Sequence, residues 1–208
     1  MVKITYLGHA SFKIESNDGS IIVDPYQDGF VPGLRFPRGQ EANFVFCSHE
    51  HNDHNARDLV KETGGITLNY IEHMAPHDKN NGKTRGLSKY FIFYLDGLKI
   101  AHLGDMADFS NPKTVEYLKG MDVILCPINN FFTMGPDEAF ELWKQVKPKL
   151  IIPMHYYFKD KKSGYEDGDQ IERFHQFFPN NIKVNDTSIM VEDYLGKTDS
   201  VIFENYVQ

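Results

Sequence analysis

Apolar and polar residues alternate in short runs through the first part of the chain, the pattern typical of β-strands. Residues 4–15 predict one strand, Asn17-Asp18-Gly19 a tight turn and residues 21–23 the returning strand. Residues 44–47 are short and apolar and predict a buried strand, and residues 66–71 predict another. The N-terminal part is therefore expected to be mainly β-structure.

The rest of the chain alternates predicted strands with predicted helices. Residues 89–95 and 98–103 predict a hairpin around Asp96-Gly97. Further strands are predicted at residues 121–127, 150–153, 188–191 and 201–206. Helices are predicted at residues 55–62, with Asn55 as the N-cap, and from Asn111-Pro112 to Gly120. A third helix is predicted from Pro136 to Pro148, and its inner face has Ala139, Phe140, Trp143 and Val146. A fourth is predicted at residues 172–178.

Residues 26–40 fit neither pattern. The segment holds three glycines, two prolines, two phenylalanines, Arg35 and Arg38, which is too irregular for a helix or a strand. Long loops without secondary structure in compact domains are commonly lids or disordered segments. The aromatic residues favour a lid.

Composition narrows the class of protein. The length of 208 residues suits one domain, residues 1–208, with a sizeable core. A net charge of −7 argues against a nucleic-acid partner, and no apolar run approaches the length that spans a membrane. The N-terminus enters a strand pattern without a signal-peptide profile. Cys47 and Cys126 lie in apolar runs and are expected to be buried free thiols, so a cytoplasmic location is predicted.

The main chemical signal is His49-Glu50-His51-Asn52-Asp53-His54, which holds three of the nine histidines in the chain. Imidazole and carboxylate are the ligands expected for an ion such as zinc. The segment follows the predicted strand of residues 44–47, so its histidines lie where a core strand ends. Because side chains alternate along a strand and the chain must then turn, two ligand pairs are offered, His49 with His51 and Asp53 with His54. A polar turn with ordinary surface histidines is the alternative.

His-x-His-x-Asp-His after a buried strand resembles the motif of the metallo-β-lactamase superfamily. The segments Thr133-Met134-Gly135-Pro136 and Pro153-Met154-His155-Tyr156 resemble its smaller branch of lactonase-like and uncharacterised hydrolases. The resemblance covers nearly the whole chain. It implies an α+β fold, the four-layer αββα sandwich in which two mixed sheets pack face to face with helices outside.

The resemblance also implies the site residues. The first metal would be bound by His49, His51 and His77, with His73 as the alternative to His77. The second metal would be bound by Asp53, His54 and His155, and Asp105 would bridge both metals. Asp24 and His9 would support the site or the substrate. Asp53 and Asp105 are the predicted catalytic carboxylates. Asp24 and Asp105 could otherwise be turn or capping residues, and His9 an ordinary core histidine.

The resemblance therefore implies a hydrolase whose two divalent ions, zinc first and manganese or iron as alternatives, hold a hydroxide that attacks an ester, lactone, amide or phosphoester. The positive charge of two divalent ions exceeds the negative charge of two carboxylates and a hydroxide. The site would therefore have a net positive charge, and a small anionic substrate is expected. Arg35, Arg38 and Arg85 are candidate anchors or plain surface residues. The expected partner is this small molecule, and a homo-oligomer is compatible with the sequence.

Two other functions compete with hydrolysis. One is redox chemistry at a di-iron site, but di-iron members commonly have a carboxylate at the position of His51, and many have a flavin domain that this chain lacks. The other is a metal-binding regulatory module without turnover, for which the full ligand set is more than is needed.

Overall fold

The computed structural model describes residues 1–166 and 170–208. Its strands are β1 (Lys3–Gly8), β2 (Ser11–Ser16), β3 (Gly19–Val23), β4 (Glu41–Ala42), β5 (Phe44–Phe46), β6 (Lys61–Glu62), β7 (Asn69–Pro76), β8 (Leu87–Leu95), β9 (Leu98–His102), β10 (Val123–Pro127), β11 (Leu150–Met154), β12 (Asn181–Val184), β13 (Ser188–Met190) and β14 (Ser200–Phe203). The helices are α1 (Pro112–Leu118), α2 (Pro136–Val146) and α3 (Gln170–Phe177), with 3₁₀ turns at Arg57–Leu59 and Val191–Asp193.

The strands form two mixed sheets. The first has the order β13-β1-β2-β3-β5, in which β3 and β5 are parallel and the other neighbours antiparallel. The second has the order β12-β14-β11-β10-β9-β8-β7, with an antiparallel meander at β7 to β9 and parallel pairs beyond it. The short strands β4 and β6 pair separately.

Aromatic side chains join the two sheets face to face. Tyr6 on β1 lies 5.5 Å, between ring centroids, from Phe203 on β14. Phe46 on β5 lies 5.3 Å from Phe91 and 5.0 Å from Phe93, both on β8. Such contacts remove large apolar surfaces from water and stabilise the sandwich. The expected α+β sandwich of two mixed sheets is confirmed.

The helices agree with the sequence in most places. Asn111 caps α1 by accepting a hydrogen bond from the backbone N–H of Lys113. In α2, Ala139 and Val146 are buried, while Phe140 and Trp143 stack on each other at 5.6 Å between centroids. Phe140 also stacks at 5.4 Å on Phe177 of α3, so the predicted aromatic stripe is a packing surface.

The predicted helix at residues 55–62 is wrong. A short 3₁₀ turn is followed by extended Val60 and β6, and the Asn55 side chain donates to the Glu50 carbonyl instead of capping. The backbone N–H of Ala56 bonds the Pro25 carbonyl, and that of Lys61 bonds the Gln40 carbonyl. These long-range bonds replace the i to i−4 bonds that a helix needs.

Two predicted strands need correction. Residues 4–15 form β1 and β2 rather than one strand, because Gly8 and His9 have φ angles of 100° and 57° and reverse the chain. The strand predicted at residues 66–71 is displaced to β7, and β12 had no prediction at all. The hairpin around Asp96-Gly97 and the central strands β10 and β11 are confirmed.

Residues 26–40 contain no helix or strand, as expected, and two of their aromatic side chains pack into the core instead of covering the site. Tyr26 and Phe36 are buried, and the Tyr26 hydroxyl donates to the Leu7 carbonyl at 2.8 Å. These side chains therefore anchor the loop to the first sheet. Phe30 is half exposed.

In the part of the chain that the structure describes, we find no helix with the length and apolar character needed to cross a bilayer.

Candidate metal centre

The chemically distinctive side chains all follow strands that end at one edge of the sandwich. His9 follows β1, Asp24 follows β3, the segment His49–His54 follows β5, His77 follows β7, Asp105 lies just beyond β9, and His155 follows β11. These strands run parallel to one another within each sheet. Side chains that are far apart in sequence therefore meet, as in other sheets whose ligand sites lie at strand ends.

Among the described residues there are three groups of donor atoms, and within each group all the atoms lie within 4.8 Å of one another. They are His49, His51 and His77; His9, Asp53, His54 and His155; and His49, His54 and Asp105. The first two groups contain the two ligand sets expected from the sequence, with His9 added to the second. The turn that separates the sets is stabilised by a hydrogen bond of 2.9 Å from the His54 N–H to the His51 carbonyl.

Asp105 lies between the groups. Its Oδ2 atom is 3.2 Å from His54 Nε2, 3.4 Å from His77 Nε2, 3.5 Å from His155 Nε2 and 3.9 Å from His49 Nε2. Burial would raise its pKa, but His54 and His155 hold the pKa well below the usual range. Asp105 is thus a buried carboxylate that faces imidazoles of both groups.

Asp24 fixes the orientation of His54 from behind. Both side chains are fully buried, and the Asp24 carboxylate lies 2.9 Å from His54 Nδ1. It also accepts bonds from the Ser48 N–H at 2.6 Å and the Ser48 hydroxyl at 2.7 Å. With Nδ1 held by Asp24, His54 Nε2 points towards Asp53 and Asp105. This is the contact that a supporting carboxylate makes to a ligand histidine.

His9 lies inside the site rather than in the general core. Its ring is 4.0 Å, centroid to centroid, from that of His155, and its Nε2 atom is 3.5 Å from Asp53 Oδ2. The His155 N–H donates to the His9 carbonyl at 2.9 Å. His9, Asp24 and His155 have φ angles of 57°, 50° and 60°, a left-handed backbone that is uncommon outside glycine. This geometry re-aims each side chain just where its strand ends.

Of the two histidines considered for the first group, His77 joins it and His73 does not. His77 Nε2 is 3.3 Å from His51 Nδ1. His73 lies within β7 and stacks on Tyr117 at 4.0 Å between centroids. His102 is also outside the groups, since its Nε2 donates to the Ala10 carbonyl and its Nδ1 accepts from the Gly104 N–H.

The donor atoms suit a cation. Among the described residues, six buried atoms of the site lack a hydrogen-bond partner: Nε2 of His9, His49 and His54, both ring nitrogens of His155, and Oδ1 of Asp105. An unsatisfied buried polar atom costs about 1–3 kcal/mol. A divalent ion bound by imidazole and carboxylate would satisfy such atoms, so the residues present fit a metal site.

Burial favours the neutral form of three of these imidazoles, and neutral imidazole is the form that binds metal. Burial lowers the pKa of His9 to about 4 and that of His49 to about 3, and it also lowers the pKa of His77. His54 differs. Burial lowers its pKa too, but the neighbouring Asp105 and Asp24 carboxylates outweigh burial and raise it well above the ordinary value.

A cavity of about 200 Å³ opens above the donor groups. We call it the metal pocket; it is lined by His51, Asp53, His77, Arg85, Asp105, Phe132, His155 and Tyr165. The Arg85 guanidinium lies 4.2 Å above the centroid of the Phe132 ring. Arg38 pairs instead with Asp28, and Arg35 lines a different cavity, so of the three candidate anchors only Arg85 borders the metal pocket.

Tyr165 and Phe132 had no prediction from the sequence. The Tyr165 hydroxyl lies 2.7 Å from the Phe30 carbonyl and 3.2 Å from Asp53 Oδ2, and its ring stacks on His155 at 5.9 Å. Burial and Asp53 raise the pKa of this hydroxyl, which therefore stays protonated. Tyr156, which precedes it in sequence and follows His155 directly, bonds the Phe203 carbonyl away from the pocket.

Comparison with known proteins agrees with a metal-binding site in this fold. The family model of the beta-lactamase superfamily domain matches residues 3–155. A protein of Desulforamulus reducens named UPF0173 metal-dependent hydrolase is 31% identical, covering 74% of this chain and 84% of the relative. A protein of the same name from Thermococcus onnurineus is 32% identical, with 75% and 85% covered.

Solved structures extend the likeness to the whole fold. The crystal structure of a proposed Zn-dependent hydrolase of the metallo-β-lactamase superfamily from Thermotoga maritima superposes with a TM-score of 0.76 at 26% identity, covering 98% of each chain. Human tRNase Z, short form, superposes with a TM-score of 0.53 at 12% identity over 74% of this chain and 92% of that one, which shows the fold alone. The chain therefore belongs to the metallo-β-lactamase superfamily and is one of its metal-dependent hydrolases.

Proposed function

We propose that this hydrolase holds two divalent metal ions and cleaves a small anionic ester, lactone, amide or phosphoester. His49, His51 and His77 would bind the first ion, and Asp53, His54 and His155 the second, with Asp105 shared between them. The single observation that carries the proposal is the position of Asp105 Oδ2, within 3.9 Å of Nε2 atoms from both groups. A pair of such ions supplies an acidified water and polarises a substrate oxygen.

Zinc is the first choice because the donors are imidazoles and carboxylates, and manganese and iron are the alternatives. The residues behind the site then have defined tasks. Asp24 holds the ring of His54 in one orientation through Nδ1, which leaves Nε2 for the metal. His9 and Tyr165 both approach Asp53 Oδ2, at 3.5 and 3.2 Å, and restrict that carboxylate. The protein thus fixes the donor atoms before the ions and the substrate bind.

Arg85 is the proposed anchor for the negative charge of the substrate. It is exposed, borders the metal pocket and rests its guanidinium on Phe132. A guanidinium in this place can donate two parallel hydrogen bonds to a carboxylate or phosphate while the aromatic ring limits its motion. Phe132 and Tyr165 form further walls of the pocket. A lactonase-like reaction on an anionic substrate fits this arrangement.

The buried thiols of Cys47 and Cys126 are both free, as the sequence predicted. Free buried cysteines are usual in reducing compartments, and we propose that the enzyme works in the cytoplasm.

The test is turnover by protein whose metal content has been quantified. Matched panels of lactones, carboxylic esters, amides and phosphodiesters should each contain an anionic and a neutral member. We expect hydrolysis in one class, a preference for the anionic member, and loss of activity on chelation that zinc restores. Activity unchanged after all metal has been removed, or no turnover in any class by fully loaded protein, would contradict the proposal.

A further inference from the structure

The metal pocket is too small to hold a typical substrate by itself. Its volume is about 200 Å³, whereas small-molecule sites generally occupy about 300–1,000 Å³. A groove of about 430 Å³ adjoins it. Phe132 and Tyr165 line both spaces, so the two cavities adjoin at these two side chains. We call the second space the arm groove.

The arm groove is rich in aromatic side chains. Phe131, Phe132, Tyr157 and Tyr165 line it together with Pro32. The Phe131 and Phe132 rings meet edge to face at 4.7 Å between centroids, and Phe132 meets Tyr165 at 5.5 Å. Phe131 is 72% exposed. An exposed phenylalanine that continues a row of rings out of a cleft is a surface suited to an apolar ligand.

The metal pocket and the arm groove differ in the charged side chains that line them. The metal pocket combines the metal donors with the Arg85 guanidinium. Among the residues that the structure describes, one cation and one anion line the arm groove, Lys162 and Glu166, both exposed. Opposite charges at a solvent-exposed border give no net attraction for an anion, so the groove selects by apolar contact rather than by charge. The anionic part of a substrate is therefore expected beside Arg85 and not in the groove.

From these observations we propose that the substrate has two parts: an anionic, hydrolysable head in the metal pocket, and an apolar arm about the size of one aromatic ring in the arm groove. The arm would cross Phe132 and Tyr165 and lie against Phe131. This inference rests on the proposed function, since it specifies the substrate class of the same site.

The experiment compares two carboxylates with the same head. Acetate and 3-phenylpropionate are titrated into zinc-loaded protein, and both dissociation constants are measured by ligand-observed NMR. Burying a phenyl ring against the groove should make 3-phenylpropionate bind roughly 10- to 100-fold more tightly than acetate. Equal affinities would overturn the proposal.

A substitution locates the arm. Phe131→Ala should bring the ratio of the two affinities down to about three or less, because the ring that forms the outer wall is gone. Tyr117→Ala is the matched control: Tyr117 is also an exposed aromatic residue, 42% exposed, but it lines neither cavity and stacks on His73. The control should keep the wild-type ratio. A wild-type ratio in Phe131→Ala would show that the arm lies elsewhere and would overturn the proposal.

The outcome is separable from that of the proposed function. Turnover with metal dependence but no preference for ring-bearing carboxylates or substrates would leave the hydrolase intact and remove the arm groove. A ring preference that depends on Phe131, in a protein that hydrolyses none of the panel, would support the groove and count against the proposed reaction.

Discussion

The donor groups and the wall of the metal pocket that faces them are built in different ways. Each donor group comes from residues at or just beyond the ends of core strands, and Asp105, His77 and His155 are at most 2% exposed. The wall comes from loops, with Arg85 exposed and Phe132 and Tyr165 half-buried. Rigid strands suit atoms that must stay within a few tenths of an ångström, whereas loops can differ between relatives without disturbing the core. The difference suggests that the donors determine the reaction and the wall determines the substrate.

The largest effect is expected from Asp105→Asn. The substitution keeps the shape but removes one negative charge between two groups of imidazoles, so one ion should leave or bind weakly. We expect a metal content nearer one than two, a retained fold, and a loss of turnover beyond the roughly 10- to 100-fold typical of a supporting residue. Metal analysis, circular dichroism and rates on one preparation test this. Full activity with two metals would show that Asp105 is only a turn residue.

His77→Ala should come next, with His73→Ala as its matched control. Both histidines belong to one stretch of chain, but only His77 points into the donor groups. His77→Ala should lose metal from the first group and most of the turnover, while His73→Ala keeps both. Loss of metal in His73→Ala but not in His77→Ala would mean that His73, and not His77, is the ligand in the first group.

Asp24→Ala probes the support behind the donors. It removes the acceptor for His54 Nδ1 and for two bonds from Ser48. We expect a loss of about 10- to 100-fold in metal affinity or activity, with thermal unfolding showing a less stable but folded protein. Metal titration against a competing chelator measures the affinity. A metal affinity equal to that of the wild-type protein would show that Asp24 does not support the metal ligands.

The smallest effect is expected in the wall. Arg85→Gln should raise KM for an anionic substrate about tenfold, the loss expected for one charge-assisted hydrogen bond, and leave a neutral analogue of the same substrate nearly unchanged. Metal content should stay at the wild-type value. An equal rise in KM for both substrates would mean that Arg85 only supports the shape of the pocket and does not bind the negative charge of the substrate.

The donors are easier to predict from the sequence than the wall of the metal pocket, for a physical reason. His49, His51, Asp53 and His54 stand together after a short apolar run, so spacing and strand context are both visible in the sequence. The central strands also follow from local patterns, because each is a short buried apolar run, whereas their arrangement in two mixed sheets was implied by the family resemblance. Such features depend on near neighbours in the chain.

Features that depend on distant contacts could not be predicted in this way. Tyr165 reaches Asp53 only because the chain folds back over 112 positions, and nothing in its local sequence marks it. The helix predicted at residues 55–62 failed for the same reason, since the backbone there bonds Pro25 and Gln40. His9 was ambiguous until its left-handed backbone and its contact with His155 were known.

We propose above that the site holds two metal ions joined through Asp105. The most direct test of this proposal is the metal-to-protein ratio of protein prepared without chelator, supplemented with zinc, desalted and analysed for all transition metals. We expect a ratio near two for the wild-type chain and near one for Asp105→Asn. A ratio of one or less in the fully supplemented wild-type protein would contradict it.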